Sequence, residues 1–512
     1  MLSRPLRLPT VCFGLLLVLA ASGAPARAVD RVLGAGVPKP SSGGAPWTAA
    51  DVAGLDATID RALDGAPTLR GAHAGLLAVN ARDGRVLYAR GADDAFVPAS
   101  TLKLLAGSAA LDVLGPGFRF RTAAFAVADA SGGPPDVVLR GGGDALLDDA
   151  ALGELPAALR RAGIASVRGI AFDEPPDVPP YPPGWSWDDL PWAYAAPVTQ
   201  LAFNDNAVTL NVAPGAAAGA PVSVTVAPWG TPCASGAPCA GDLGFVVRVA
   251  AVTGAPGTES TLDVTRGAGP GGAGDMTLIG SLAAGAPSER LDVAVPSPPR
   301  YAAYAARRAL VAAGFAPSPG VVGEAVAPGA VPVWTHDSEP MRDILADLWI
   351  PSDNLVAEEL LRALGARAPA PQGSTADGLA KETSWLRALG VATDRLALDD
   401  GSGLSVYDRV TPRALVAVLK HDWDGPYREL VLDDLPIAGV RGTLAASFTG
   451  TPAAQRVFAK TGTVSHASAL AGYVATAHHG TVIFAFPVDD WLGDAAALRA
   501  VRAQVLSAFA ER

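Results

Sequence analysis

Residues 98–114 read PASTLKLLAGSAALDVL, and Ser100-Thr101-Leu102-Lys103 at their start is the one S-x-x-K in the chain. The stretch opens on Pro98 and then runs strongly apolar, which predicts a buried helix. A three-residue spacing on a helix places the Ser100 and Lys103 side chains one turn apart on one face. A lysine held there and partly desolvated can lose its proton and activate the serine as a nucleophile. Taken alone, the same residues also read as an N-capping serine followed by an unrelated lysine.

The rarity of lysine sharpens the first reading. Only Lys39, Lys103, Lys381, Lys420 and Lys460 occur, against 34 arginines. Lys460-Thr461-Gly462 is the one K-T-G, placed at the start of an expected strand. There a cation, a hydroxyl and close backbone approach at Gly462 could bind a substrate carboxylate. Ser352-Asp353-Asn354 is the one S-x-N. It follows Leu348-Trp349-Ile350-Pro351 and precedes an expected helix, so it reads either as an ordinary cap or as a proton relay at Ser352 beside a substrate-binding amide at Asn354.

Around these motifs the chain is 512 residues long, 50% apolar and 17% charged, which excludes a disordered polyampholyte and a disulfide-stapled miniature domain. Residues 1–28 read as a cleavable secretory signal: Arg4 and Arg7, an apolar run too short to span a bilayer, then Ala26-Arg27-Ala28. A flexible Gly/Pro/Ser-rich segment is expected over 29–46. A helix is expected over 47–63, a hairpin turning at Arg82-Asp83-Gly84, and a β-rich insertion of one or two small domains over 126–295. Helices are expected again over 300–313 and 352–366. The end reads as two strands around a turn at His478-His479-Gly480, then a helix over 494–510. Cys233 and Cys239, close together in a loop of an exported chain, suggest a local disulfide. The six histidines form no H-E-x-x-H, so neither a metal nor another cofactor is expected. A net charge of −11 argues against nucleic acid or anionic lipid as partner.

S-x-x-K, S-x-N and K-T-G, once each and in that order, form the set shared by penicillin-binding proteins and class A β-lactamases. The separation of 252 residues from Ser100 to Ser352 exceeds what a β-lactamase accommodates. The chain resembles the D-alanyl-D-alanine carboxypeptidase/endopeptidase family of low-molecular-mass, class C penicillin-binding proteins (peptidase family S13). PGWSWDDLPWAYAAPV, the run Phe203-Asn204-Asp205-Asn206-Ala207-Val208, LDDGSGLS and GTPAAQRVFAKTGTVSHASALAGYV carry the likeness further. One departure is that Trp349-Ile350-Pro351 stands where relatives often carry a lysine.

The resemblance implies an α/β (α+β) catalytic domain of antiparallel sheet and helices, from 47–125 and 296–512, interrupted by the insertion. It implies a periplasmic enzyme with no membrane anchor once the signal is cleaved. Its partners would be peptidoglycan stem peptides, and β-lactams as inhibitors. Ser100 would attack with Lys103 as base, and Ser352 and Lys460 would pass a proton to the leaving amine. Thr461 and Thr463 would bind the terminal carboxylate, and Asn354 the substrate backbone. A carboxylate at Asp188 or Asp189 would meet a side-chain amine of the stem peptide. A β-lactamase-like hydrolase and a catalytically silent cell-wall binding protein are the competing readings.

Overall fold

The computed structural model describes residues 37–175, 178–233, 238–239, 243–267, 274–367 and 372–512; the expected signal over 1–28 lies outside the described residues. Among the described residues, an antiparallel sheet of seven strands organises the part of the chain that carries the three motifs. His73–Ala74, Val488–Asp489, Ala467–Ala475, Thr481–Ala485, Leu76–Asn80 and Val86–Arg90 follow one another across it, and Val457–Val464 lies along Ala467–Ala475.

Strand alternation splits the apolar side chains between two faces. Leu76, Ala78, Val482 and Phe484 face the helices Ala49–Asp64 and Ala495–Ala510, where Leu55, Ile59, Val505 and Phe509 are buried. Leu77, Val79, Ile483 and Ala485 face the other way, into a core with the helices Lys103–Leu114, Met341–Trp349, Asn354–Leu364 and Pro412–Asp424. The helix Ala49–Asp64 starts where Thr48 and Asp51 form a reciprocal cap, just inside the expected boundary at 47–63.

Among the described residues, the β-rich part carries three larger sheets. One is Val321–Gly323, Ile170–Asp173, Asp136–Arg140, Arg121–Val127 and Trp334–Asp337 in order, so it joins strands inside the expected 126–295 segment to residues on both sides of it. The helix Pro298–Ala312 also belongs here: Tyr301, Ala305 and Leu310 are buried with Phe203, Leu210 and Val293. Helical periodicity shows that a segment is a helix but not which core its apolar face joins. Cys233 and Cys239 are disulfide-bonded in this part.

Of the segment expected to be loose over 29–46, residues 29–36 lie outside the described residues, and 37–46 are tied to the seven-stranded sheet, its turn at Arg82 and the helix Arg428–Asp434. Ser41 exchanges two hydrogen bonds with the Thr481 hydroxyl, Arg82 donates to the Ser42 and Gly44 carbonyls, and Lys39 pairs with Asp433. Gly/Pro/Ser composition lowers the cost of irregular backbone, but it does not prevent that backbone from finding partners. Among the described residues no helix is long and apolar enough to cross a membrane.

Candidate active site

The turn Ala99–Leu102 is a 3₁₀ helix that runs into the α-helix Lys103–Leu114, so Ser100 sits at the mouth of a helix whose body is buried. Ala99 has φ +44°, a left-handed conformation that a non-glycine residue adopts at a cost of about 1–3 kcal/mol. Two glycines press against this turn. A Cβ on Gly403 would lie 1.9 Å from the Ala99 carbonyl oxygen. A Cβ on Gly462 would lie 2.7 Å from the Pro98 oxygen and 2.8 Å from the Ser100 nitrogen. The K-T-G strand thus passes directly beside the nucleophile because its third residue has no side chain.

That strand, Val457–Val464, pairs on one side with Ala467–Ala475. Its odd-numbered residues turn their backbone groups the other way: Ala459 N–H donates to Pro436 and the Val457 carbonyl accepts from Ala438. The same alternation directs the Thr463 N–H to the free edge, next to the Ser100 turn.

Lys103 is fully buried and its ammonium makes three contacts: Ser100 Oγ at 3.0 Å, the Ser402 carbonyl at 2.7 Å and Asn354 Oδ1 at 2.5 Å. Burial pulls its pKa down to about 8, against the opposing pull of Asp400, Glu358 and Asp353. Lys460 is equally buried and donates to Ser352 Oγ at 2.8 Å and to the Thr461 carbonyl at 2.9 Å. Burial, and then the charge of Lys103, hold it well below the usual lysine range. Ser352 has φ +72° in the link between the helices Met341–Trp349 and Asn354–Leu364. Asp353 caps the second of these through the Val356 N–H. Thr461 bonds to Thr443, and Thr463 Oγ1 donates to the Gly462 carbonyl.

The sequence matches the D-Ala-D-Ala carboxypeptidase 3 (S13) family over residues 55–511. The chain belongs to this family. A D-alanyl-D-alanine carboxypeptidase of Actinomadura sp. (strain R39) is 34% identical over 463 residues, covering 84% of this chain and 81% of that one. The D-alanyl-D-alanine carboxypeptidase DacB of Haemophilus influenzae is 31% identical over 151 residues, 29% of this chain and 32% of the relative. The crystal structure of penicillin binding protein 4 (dacB) from Haemophilus influenzae superposes with a TM-score of 0.75 at 24% identity, covering 88% of this chain and 97% of that one. That likeness establishes the fold.

Within this S13 fold, the motif residues form two hydrogen-bonded groups, Ser100–Lys103–Asn354 and Ser352–Lys460, brought together by the short link Ser352-Asp353-Asn354 and by Gly462, which packs on the Ser100 turn. Asn354, expected to hold a substrate amide, also has a structural role. Its Oδ1 takes Lys103 and its Nδ2 donates to the Tyr194 carbonyl at 2.7 Å. The Trp-rich segment reaches the site through that contact and through Trp185, whose indole N–H donates to Asp400 at 2.8 Å. Of the two acids there, Asp189 accepts from the Tyr194 hydroxyl at 2.7 Å, while Asp188 is exposed beside Trp187, itself 78% exposed.

Several participants carry no motif. The Ser402 carbonyl is a backbone group with no side-chain signature. Trp349 is buried and its indole N–H donates to the Lys103 carbonyl at 2.9 Å. Asp400 lies within the LDDGSGLS stretch, which carries the family likeness but assigns no role to any one of its residues.

Proposed function

We propose that the chain is a serine-type D-Ala-D-Ala carboxypeptidase/endopeptidase, working in the periplasm on peptidoglycan stem peptides through an acyl-enzyme on Ser100. The observation that carries this is the orientation of Lys103. A neutral lysine keeps two N–H bonds, and two of its three neighbours, the Ser402 carbonyl and Asn354 Oδ1, can only accept. Those two bonds turn the nitrogen lone pair toward the third neighbour, the Ser100 hydroxyl. A pKa near 8 keeps the neutral form accessible at neutral pH.

In this reading Ser100 Oγ attacks the carbonyl carbon of the penultimate D-alanine as Lys103 takes its proton. The tetrahedral oxyanion is met by the Ser100 and Thr463 N–H groups. Ser352, bonded to Lys460, hands a proton to the departing amine, and the acyl-enzyme is released by water. Thr461 and Thr463 receive the terminal carboxylate, whose negative charge also favours the protonated form of Lys460. Asp188 or Asp189 meets an amine on the stem peptide side chain. A β-lactam follows the same path and stays bound as the acyl-enzyme. Export through the 1–28 signal places the enzyme beside this substrate.

A gel with fluorescent penicillin tests the proposal. The wild type is expected to label stably, and Ser100→Ala to lose labelling by about 10⁴-fold or more. Equal labelling of the two proteins would overturn the acyl-enzyme, and fast turnover of nitrocefin without stable labelling would turn the reading toward a β-lactamase.

A further inference from the structure

Beneath the catalytic lysine lies a group of buried carboxyls that the mechanism above does not use. The turn at 400–405, which presents the Ser402 carbonyl to Lys103, is held from below by two of them. Glu358, on the helix Asn354–Leu364, accepts from the Gly401 N–H at 3.0 Å and from the Ser402 N–H at 2.9 Å, both on one carboxyl oxygen. Asp400 accepts from the Gly403 N–H at 2.6 Å, the Ser405 N–H at 2.8 Å, the Ser402 hydroxyl at 3.2 Å and the Trp185 indole. Glu358, Asp400, Asp408 and the neighbouring Glu382 all have no solvent exposure.

We propose that Glu358 is a positioning residue for the lysine base: by clamping the Gly401 and Ser402 N–H groups it sets the Ser402 carbonyl, and that carbonyl sets the direction in which Lys103 faces Ser100. This deepens the acyl-enzyme reading and rests on it.

Three features support the assignment. The clamp shares a helix with Asn354, the other acceptor of Lys103, so one rigid element determines both acceptor positions. The second oxygen of Glu358 is buried and has no hydrogen-bond partner among the described residues, an arrangement that costs stability and calls for a reason. Finally, Glu358 is electrostatically linked to the base. Its charge favours the protonated form of Lys103, and burial together with Asp400 raises its own pKa into the range where Lys103 titrates. The other charged groups facing the pair are Asp353 and Arg362 on its own segment, Asp400 and Asp408 from the turn region, and Glu382 from the helix Thr375–Ala388. Lys460 faces it from the edge strand.

Glu358→Gln keeps the shape and one carbonyl acceptor; Glu358→Ala removes the clamp. The second-order rate of acylation by fluorescent penicillin, followed from about pH 6 to about pH 10 beside a thermal melt of each protein, separates the two roles. Expected is a loss of about tenfold or more in Glu358→Ala. Glu358→Gln should stay within about threefold of wild type, with the acid limb of its profile moved to lower pH, because the charge that Glu358 acquires in the range where Lys103 titrates, and that holds the Lys103 proton there, is gone.

A Glu358→Ala protein that acylates within about threefold of wild type would overturn the proposal. So would two variants whose rates fall only with the folded fraction while the limb stays in place. If Glu358→Ala does not fold, the Glu358→Gln limb decides alone: a shift supports the assignment and an unmoved limb overturns it. Failure of the wild type to label would instead remove the acyl-enzyme reading underneath.

Discussion

The helix-covered sheet and the β-rich part are built on opposite terms. Around the site, Lys103, Lys460, Glu358, Glu359, Glu382, Asp400 and Asp408 are buried, and Ala99 and Ser352 hold left-handed backbone. In the β-rich core the buried side chains are Phe203, Leu210, Val293, Leu278 and Tyr301, while charges such as Arg248–Asp275 and Arg290–Asp292 pair at the surface. Its left-handed non-glycine residues include Asn204, Asp205 and Asn206, types that tolerate that conformation. Buried charge and strain are destabilising, and they are concentrated around the site, with Asp144 and the half-buried Glu174 as carboxyls that burial also perturbs in the β-rich part. The two parts meet at the site through the segment bearing Trp185 and Tyr194, which touches Asp400 and Asn354.

Two substitutions test that division. Gly462→Ala inserts a methyl group within 3 Å of three backbone atoms of the nucleophile turn, none of which can swing aside. Penicillin acylation should fall by about 100-fold or more as Ser100 and Thr463 are pushed apart. Wild-type labelling would show that the close approach is dispensable. Leu210→Ala, at a fully buried position of the strand Ala207–Ala213, should cost about 2–5 kcal/mol in denaturant unfolding. The acylation rate per folded molecule should nevertheless be unchanged. If Leu210→Ala slows acylation as Gly462→Ala does, the β-rich part takes a direct share in the reaction and the division fails.

Much of the site is legible in the sequence, because the chemistry depends on scarce side chains at short spacings. Lys103 and Lys460 are two of five lysines, and S-x-x-K and K-T-G each form within one helical turn or one strand. Local periodicity also places the helix Ala49–Asp64, the hairpin Leu76–Asn80 with Val86–Arg90, and the last helix Ala495–Ala510. Whatever depends on contacts across the chain is not legible there. Ser402 contributes a carbonyl, which every residue has. Glu358 looks like any acid on an amphipathic helix until its partners, Gly401 and Ser402, arrive from elsewhere. The helix Pro298–Ala312 is recognisable, but its membership of the β-rich core is not.

The smallest expected effect is a pH dependence in which stability and activity move in opposite directions. Burial raises Glu358 and Glu382 to about 8 and Glu359 and Asp422 to about 7, and it raises Asp408 further, to about 11, with help from Asp400. Asp144 and Glu174 are raised to about 7 by the same cause. A carboxyl that holds its proton more tightly when folded stabilises the fold fully below its unfolded value, near 4, and loses that contribution as pH rises through the folded value. Lys103 has the opposite perturbation: its cost is complete below about 8 and fades only toward 10.5, so it adds no slope at lower pH. The exposed or half-buried carboxylates held low by Thr48, Arg413, Arg121 and Ser374 (Asp51, Asp93, Asp337 and Asp377) weaken only in acid, below the window in question. The melting temperature should therefore fall by about 5 °C or more between about pH 5 and about pH 8. Over the same interval acylation should rise as Lys103 begins to lose its proton. A melting temperature that is flat or rising across that interval would mean that the buried carboxyls are charged throughout, and the contrast between the two parts would lose its electrostatic basis.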